Sequence, residues 1–107
     1  MFIAMNQFQV NEGRGAEFEE AWRTRERRLQ GVPGFRGFAL LKGDDAGDYV
    51  SHTTWASREH FLAWTQSDAF RQAHAGRMGE GVLAGHPRAR FYEAMLEEPA
   101  ATAAPAS

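Results

Sequence analysis

The chain has no cysteine. That absence excludes disulfide bonds, thiolate zinc sites and a cysteine nucleophile, and it suits a reducing compartment, so a cytoplasmic location is expected. No run of about 18 apolar residues is present, the length needed to cross a bilayer as a helix. The apolar opening Met1–Met5 stops at Asn6 with no basic residue before it, too short for the apolar centre of a secretory signal. Charge of one sign is also lacking: 12 Lys and Arg stand against 14 Asp and Glu, a net charge of −2. Nucleic acid and an anionic membrane are therefore not expected as partners. GxSxG is missing, no two histidines have HxH or HExxH spacing, and GDDAGD at 43–48 fails the EF-hand pattern. No phosphate-cradling glycine motif precedes a helix. Serine or cysteine hydrolysis, a dedicated zinc site and calcium binding have no support in the sequence.

What is present describes one α+β domain. The 107 residues, 43% hydrophobic and 24% charged, suffice to bury roughly 60 to 70% of the unfolded surface. Residues 1–10 alternate as a strand, with Phe2, Ala4, Asn6, Phe8 and Val10 on one face and Ile3, Met5, Gln7 and Gln9 on the other. A turn at Asn11–Gly15 leads to a helix expected over Ala16–Leu29, whose stripe is Phe18, Ala21, Trp22, Arg25 and Leu29. Phe35–Lys42 and Asp48–Trp55 read as strands joined by the turn GDDAG, an antiparallel hairpin. Two short helices follow, then a loop over residues 75–87 with four glycines, and a last strand over Arg88–Leu96. The domain spans 1–97, and residues 98–107 form a tail too poor in bulky apolar groups to pack, expected to be disordered. The order β-α-β-β-α-β predicts a ferredoxin-like antiparallel sheet with its helices on one face. The other face, with Ile3 and Met5, needs a cover, and a second copy packed sheet to sheet into a dimeric α/β barrel supplies it.

The chemistry concentrates in WASREHFLAWTQSDAFRQAHAG at 55–76. Ser57 and Ser67 are candidate caps for two helical pieces. Within them Phe61 and Trp64 are i,i+3, and Phe70 and His74 are i,i+4. On one unbroken helix residues 64 and 74 would lie about 80° apart in azimuth and ~15 Å apart along the axis, so a break at Gln66–Ser67 is needed for both to face one site. His74 then ends an apolar stripe beside the glycine loop, either as a ligand nitrogen or as a histidine that hydrogen-bonds that loop. His60 and His86 read as surface groups and His52 as a half-buried polar group. Asn6 is a carboxamide on an otherwise apolar strand face, which calls either for a structural hydrogen bond or for a role. Arg25 interrupts the helical stripe, with its stem on the core and its head in solvent, or with its head on an anion at a pocket edge. A cavity lined by Phe8, Trp22, Phe61, Trp64 and Phe70 suits a flat macrocycle. One neutral imidazole can supply an axial bond to haem iron, and one amide can hydrogen-bond a ligand on the far side.

With Asn6 in AMNQF, VPGF at 32–35, SHTTWAS at 51–57 and FLAWTQSDAFRQAHAG at 61–76, the chain resembles the antibiotic biosynthesis monooxygenase superfamily over about residues 1–97. Within it, the chain is similar to the IsdG-type haem-degrading monooxygenases. The resemblance implies that Asn6, Trp64 and His74 form the family's catalytic triad. His74 would be the proximal ligand to haem iron, Asn6 a distal hydrogen-bond donor, and Trp64 a bulky contact that ruffles the porphyrin. Haem would be cofactor and substrate together, cleaved to an open tetrapyrrole with release of iron, using O2 and an external electron donor such as a reductase partner. Phe8, Trp22, Arg25, Phe61, Phe70 and Arg77 would complete the haem site, Arg77 as a propionate contact. Trp22 stands where a smaller aromatic is common. Two rival expectations are a cofactor-free monooxygenase of the same superfamily acting on a phenol or quinol, and a haem carrier without turnover. A dimeric structural domain is the third.

Overall fold

The computed structural model describes residues 1–25, 29–73 and 81–100. Its elements follow the expected order: β1 (Phe2–Gln9), α1 (Gly15–Thr24), β2 (Phe35–Lys42), β3 (Asp48–Trp55), α2 (Arg58–Thr65), α3 (Asp68–Ala73) and β4 (Arg88–Glu93). The strands form one antiparallel sheet in the order β2-β3-β1-β4, so β1 and β3 are central and β2 and β4 are edges. This is the ferredoxin-like arrangement, and all helices with described side chains in the core lie on one face.

Register assigns the faces. Phe2 opposes Trp55 and Glu93, Ala4 opposes Thr53 and Phe91, Asn6 opposes Ser51 and Ala89, and Phe8 opposes Tyr49. These residues share the helix-covered face, because opposed residues in an antiparallel pair point the same way. Apolar burial on that face falls into two clusters. The first holds Phe2, Ala4, Leu29, Trp55 and Trp64, with Phe35, Phe38, Phe61 and Phe70 packed against it. The second holds Phe8, Val10, Phe18, Tyr49 and Val82, with Trp22 and Leu40 at its border. Thr53 orients Trp55 by accepting its indole N–H at 3.0 Å while donating to the Ala4 carbonyl at 3.2 Å.

Local chemistry explains the helix starts. Ser57 accepts the backbone N–H of His60 at 3.3 Å and holds the His60 ring at 2.7 Å through Nδ1, which opens α2. Ser67 accepts the Phe70 N–H at 3.2 Å and donates its hydroxyl to the Trp64 carbonyl at 2.6 Å. One side chain thus caps α3 and closes α2, producing the expected break at Gln66–Ser67. In the β2–β3 hairpin Gly47 has φ +80°, and a Cβ there would collide with the Val10 carbonyl oxygen.

Two expected boundaries and one expected burial are corrected. The first helix stops at Thr24 and not at Leu29, because Arg25 is extended (ψ 154°). Leu29 keeps helical spacing in the sequence but is buried in a turn against the first cluster. Ala21, expected on the buried stripe, is exposed. The last strand stops at Glu93, because its partner runs out: Glu93 opposes Phe2, and Ala94 N–H bonds the Met1 carbonyl at 2.9 Å. Met95 and Leu96 are consequently 88% and 91% exposed.

The described end of the glycine loop is pinned. Val82 is fully buried, Asn11 N–H bonds its carbonyl at 2.8 Å, and the Asn11 carboxamide donates to the Gly81 carbonyl at 2.7 Å. The opposite face of the sheet carries Ile3, Met5 and Val50, half-buried, with Leu41 and Tyr92 45% and 46% exposed. No helix among the described residues is long and apolar enough to cross a membrane. The disordered tail expected over 98–107 lies largely outside the described residues, which end at Ala100.

Candidate functional site

Asn6 lies where the two aromatic clusters part. On β1 the helix-side series runs Phe2 and Ala4 in the first cluster, then Asn6, then Phe8 in the second. Across the sheet its neighbours are Ser51 and Ala89, both small. The carboxamide is half-buried, and it makes no hydrogen bond among the described residues. A structural partner was one of the two expectations for Asn6; the described chain supplies none for its side chain, which sits on the strand joining the two clusters.

The walls are aromatic and differ in character. Trp64, buried, meets Phe70 edge-on at 4.8 Å and lies 5.3 Å from Trp55. Phe61 touches Phe2, Trp55, Trp64 and Phe91 with ring centroids between 5.4 and 6.1 Å. On the other wall Trp22 stacks on Phe38 at 5.5 Å and 19°, and meets Phe8 edge-on at 5.8 Å. The Arg25 guanidinium lies 4.3 Å from the Phe38 ring and 5.2 Å from Trp22, a cation–π pair. Arg25 is half-buried, with its head over aromatic faces beside a cavity and not out in solvent as the first of its two expectations had it. The Trp22 indole N–H is buried without a partner among the described residues.

Two cavities flank the Trp22–Phe38 stack. One, about 350 Å³, is lined by Glu19, Lys42, Tyr49 and Leu40 besides Trp22, Arg23 and Phe38. The other, about 550 Å³, opens toward Leu29, Phe35 and Arg36. Of the five rings expected to line one cavity, Trp22 lines both of these, Phe8 borders it, and Phe61, Trp64 and Phe70 are gathered in the first cluster. The expected residues thus form two groups with Asn6 between them. His74 and Arg77 lie outside the described residues. His60 and His86 are exposed and His52 half-buried on the far sheet face, as expected. Among the described residues no cluster of three or more His, Asp or Glu could hold a metal ion.

Residue-pattern reasoning missed Phe38: it lies three residues from Phe35, so alternation alone does not put both on the inner face, and only the irregular pairing of β2 with β3 does. It also missed the Glu19–Tyr49 pair, which joins α1 to β3 and has no sequence signature. Tyr49 donates its hydroxyl to Glu19, whose carboxylate also lies 3.6 Å from Lys42. This bond, with burial adding to it, pushes the Tyr49 phenol up to about 12. The same bond holds the Glu19 carboxyl below its ordinary range, with Lys42 contributing.

Comparison with known proteins identifies the family and the fold. Residues 1–76 match the family described as antibiotic biosynthesis monooxygenase. A heme oxygenase (mycobilin-producing) of Mycobacterium tuberculosis is 36% identical over 86 residues, 78% of this chain and 79% of that protein. A heme-degrading monooxygenase of Bacillus cereus is 32% identical over 88 residues, 78% of this chain and 81% of that protein. The solved structure of the heme-degrader MhuD from Mycobacterium tuberculosis, with two hemes bound in its active site, superposes with TM-score 0.75 at 31% identity. That superposition covers 92% of this chain and 100% of the other.

Proposed function

Because the chain belongs to the antibiotic biosynthesis monooxygenase family, with relatives named for haem degradation, we propose that it is a haem-degrading monooxygenase. The observation that carries the reading is the Asn6 carboxamide, without a hydrogen-bond partner among the described residues, on the strand between two aromatic clusters. A flat apolar ring with a polar group at its centre suits that arrangement: aromatic rings would cover its faces, and a hydrogen-bond donor would meet its centre. The buried Trp22 N–H, without a partner among the described residues, fits the same ligand, since an unmet donor costs about 1–3 kcal/mol that an acceptor on the ligand would recover.

When bound, haem supplies the iron at which O2 and electrons from an external donor, such as a reductase, are used. The chain's own part is to bind and to orient. His74 would hold the iron through an imidazole nitrogen, which must be unprotonated to bind a metal. Asn6 would donate an N–H to a ligand on the iron. Trp64, fixed by Trp55 and Phe70, presents its bulk to the macrocycle, and Phe8, Trp22, Phe61 and Phe70 exclude water. Arg25 and Arg77 answer the carboxylates at the rim. The far sheet face, with Leu41 and Tyr92 exposed, pairs with a second copy to close the barrel.

The test is turnover. Hemin-loaded protein supplied with ascorbate and oxygen is expected to lose its Soret absorbance and gain a bilin band, with iron released to a chelator. An unchanged spectrum would reduce the protein to a haem carrier. Asn6→Ala is expected to keep hemin but lose at least about tenfold in turnover rate, the scale of one charge-stabilising hydrogen bond. Parental turnover in that variant would remove Asn6 from the chemistry.

A further inference from the structure

The larger cavity has a sign. Arg23, Arg25 and Arg36 line it, and no Asp or Glu does among its described lining. Arg23 is already paired with Glu20. Arg36 has neither ion pair nor hydrogen bond among the described residues.

The backbone puts Arg36 there. Phe35 opposes Trp55, but Gly37 opposes Thr54, so two steps on β2 match one on β3 and Arg36 is the extra residue of a bulge. As a result Phe35 and Phe38, three apart, both oppose helix-side residues, which unbroken alternation forbids. A bulge re-aims a side chain and is favoured at sheet edges beside functional sites. Here it occurs on the edge strand β2 and brings a guanidinium to the rim of an aromatic groove. The groove floor of Phe35, Phe38 and Trp22 suits an apolar plane, whereas its cationic rim suits carboxylates, for which the planar guanidinium fork is the matched donor.

We propose that this groove is the carboxylate subsite of the haem cleft, with Arg36 as the residue that takes a propionate arm of the tetrapyrrole. The proposal rests on the haem reading above and adds to it a binding residue on β2, remote in sequence from Asn6, Trp64 and His74. Arg36 acts in recognition, not in the chemistry at iron.

Hemin and its dimethyl ester, which lacks the carboxylates, separate the two claims when titrated into the parent protein, Arg36→Ala and Arg36→Lys. Binding is read by the Soret band and by quenching of tryptophan fluorescence. The parent is expected to bind hemin about tenfold more tightly than the diester, or ~1.4 kcal/mol. Arg36→Ala is expected to lose most of that preference, with diester affinity unchanged, and Arg36→Lys to retain more of it. Raising the salt concentration is expected to weaken hemin binding to the parent more than to Arg36→Ala. If Arg36→Ala binds hemin as the parent does, the subsite is refuted while the haem reading stands. If the parent binds neither porphyrin, the haem reading itself fails and the subsite with it.

Discussion

Trp55 and Trp22 occupy opposite halves of the same sheet face in very different ways. Trp55 is fully buried, within 5.7 Å of Phe35, Phe61 and Trp64, and its N–H is satisfied by Thr53. Trp22 is half-buried, its N–H has no partner among the described residues, and cavities of about 350 and 550 Å³ flank it. The surroundings of Trp55 are closed and those of Trp22 are open. The polar interruption of β1 at Asn6 marks the border. Ring density alone would have indicated one continuous core. Satisfaction of the indole N–H separates the tryptophan that holds the fold from the one placed to receive something.

That contrast can be broken by substitution. Trp55→Ala is expected to cost about 3–5 kcal/mol in urea unfolding, the range for emptying a closed aromatic site. Trp22→Ala, with less area to lose and an unmet donor removed, is expected to cost only about 1–2 kcal/mol while weakening hemin binding. Equal losses for the two would erase the distinction between the halves. Asn6→Leu is expected to change unfolding stability by less than about 0.5 kcal/mol or to raise it, because no protein hydrogen bond is lost. A loss above about 2 kcal/mol would expose a structural role for the carboxamide.

The smallest effect expected is at the border of the second cluster. Tyr49→Phe removes the bond to Glu19 and is expected to cost about 1 kcal/mol near neutral pH. Its pH dependence has a definite sign. The lowered Glu19 carboxyl contributes above its ordinary 4.5 and loses that contribution as pH falls through its folded value. The raised Tyr49 phenol contributes below its ordinary 10.0 and loses that contribution as pH rises through about 12. The stability gap between parent and variant should therefore be widest between these limits and narrow in acid and in strong alkali. A gap that stays constant across that range would contradict the pairing.

Strand faces and the α2–α3 break were legible because both have local causes: alternation for Phe2 to Val10, and serine caps at Ser57 and Ser67. The end of α1 was not. Leu29 continues the helical spacing of Phe18 and Trp22, yet its burial comes from the first cluster, so a tertiary contact imitated a helical one. Likewise Met95 and Leu96 extend the alternation of β4 past the end of β1, where no partner exists to hydrogen-bond. Val82 has no periodic neighbours to announce its burial. The bulge at Arg36 is a property of pairing between two strands and leaves no mark in either alone. For the candidate site, Asn6 could be singled out as the polar exception on its face, whereas Phe38 emerged only when β2 was laid beside β3.

One titration tests the haem reading most directly: hemin added to the parent protein and to His74→Ala, followed by absorption. The expected result is a saturable Soret band at one hemin per chain in the parent and its loss in His74→Ala. An undiminished band in His74→Ala, or none in the parent, would contradict it.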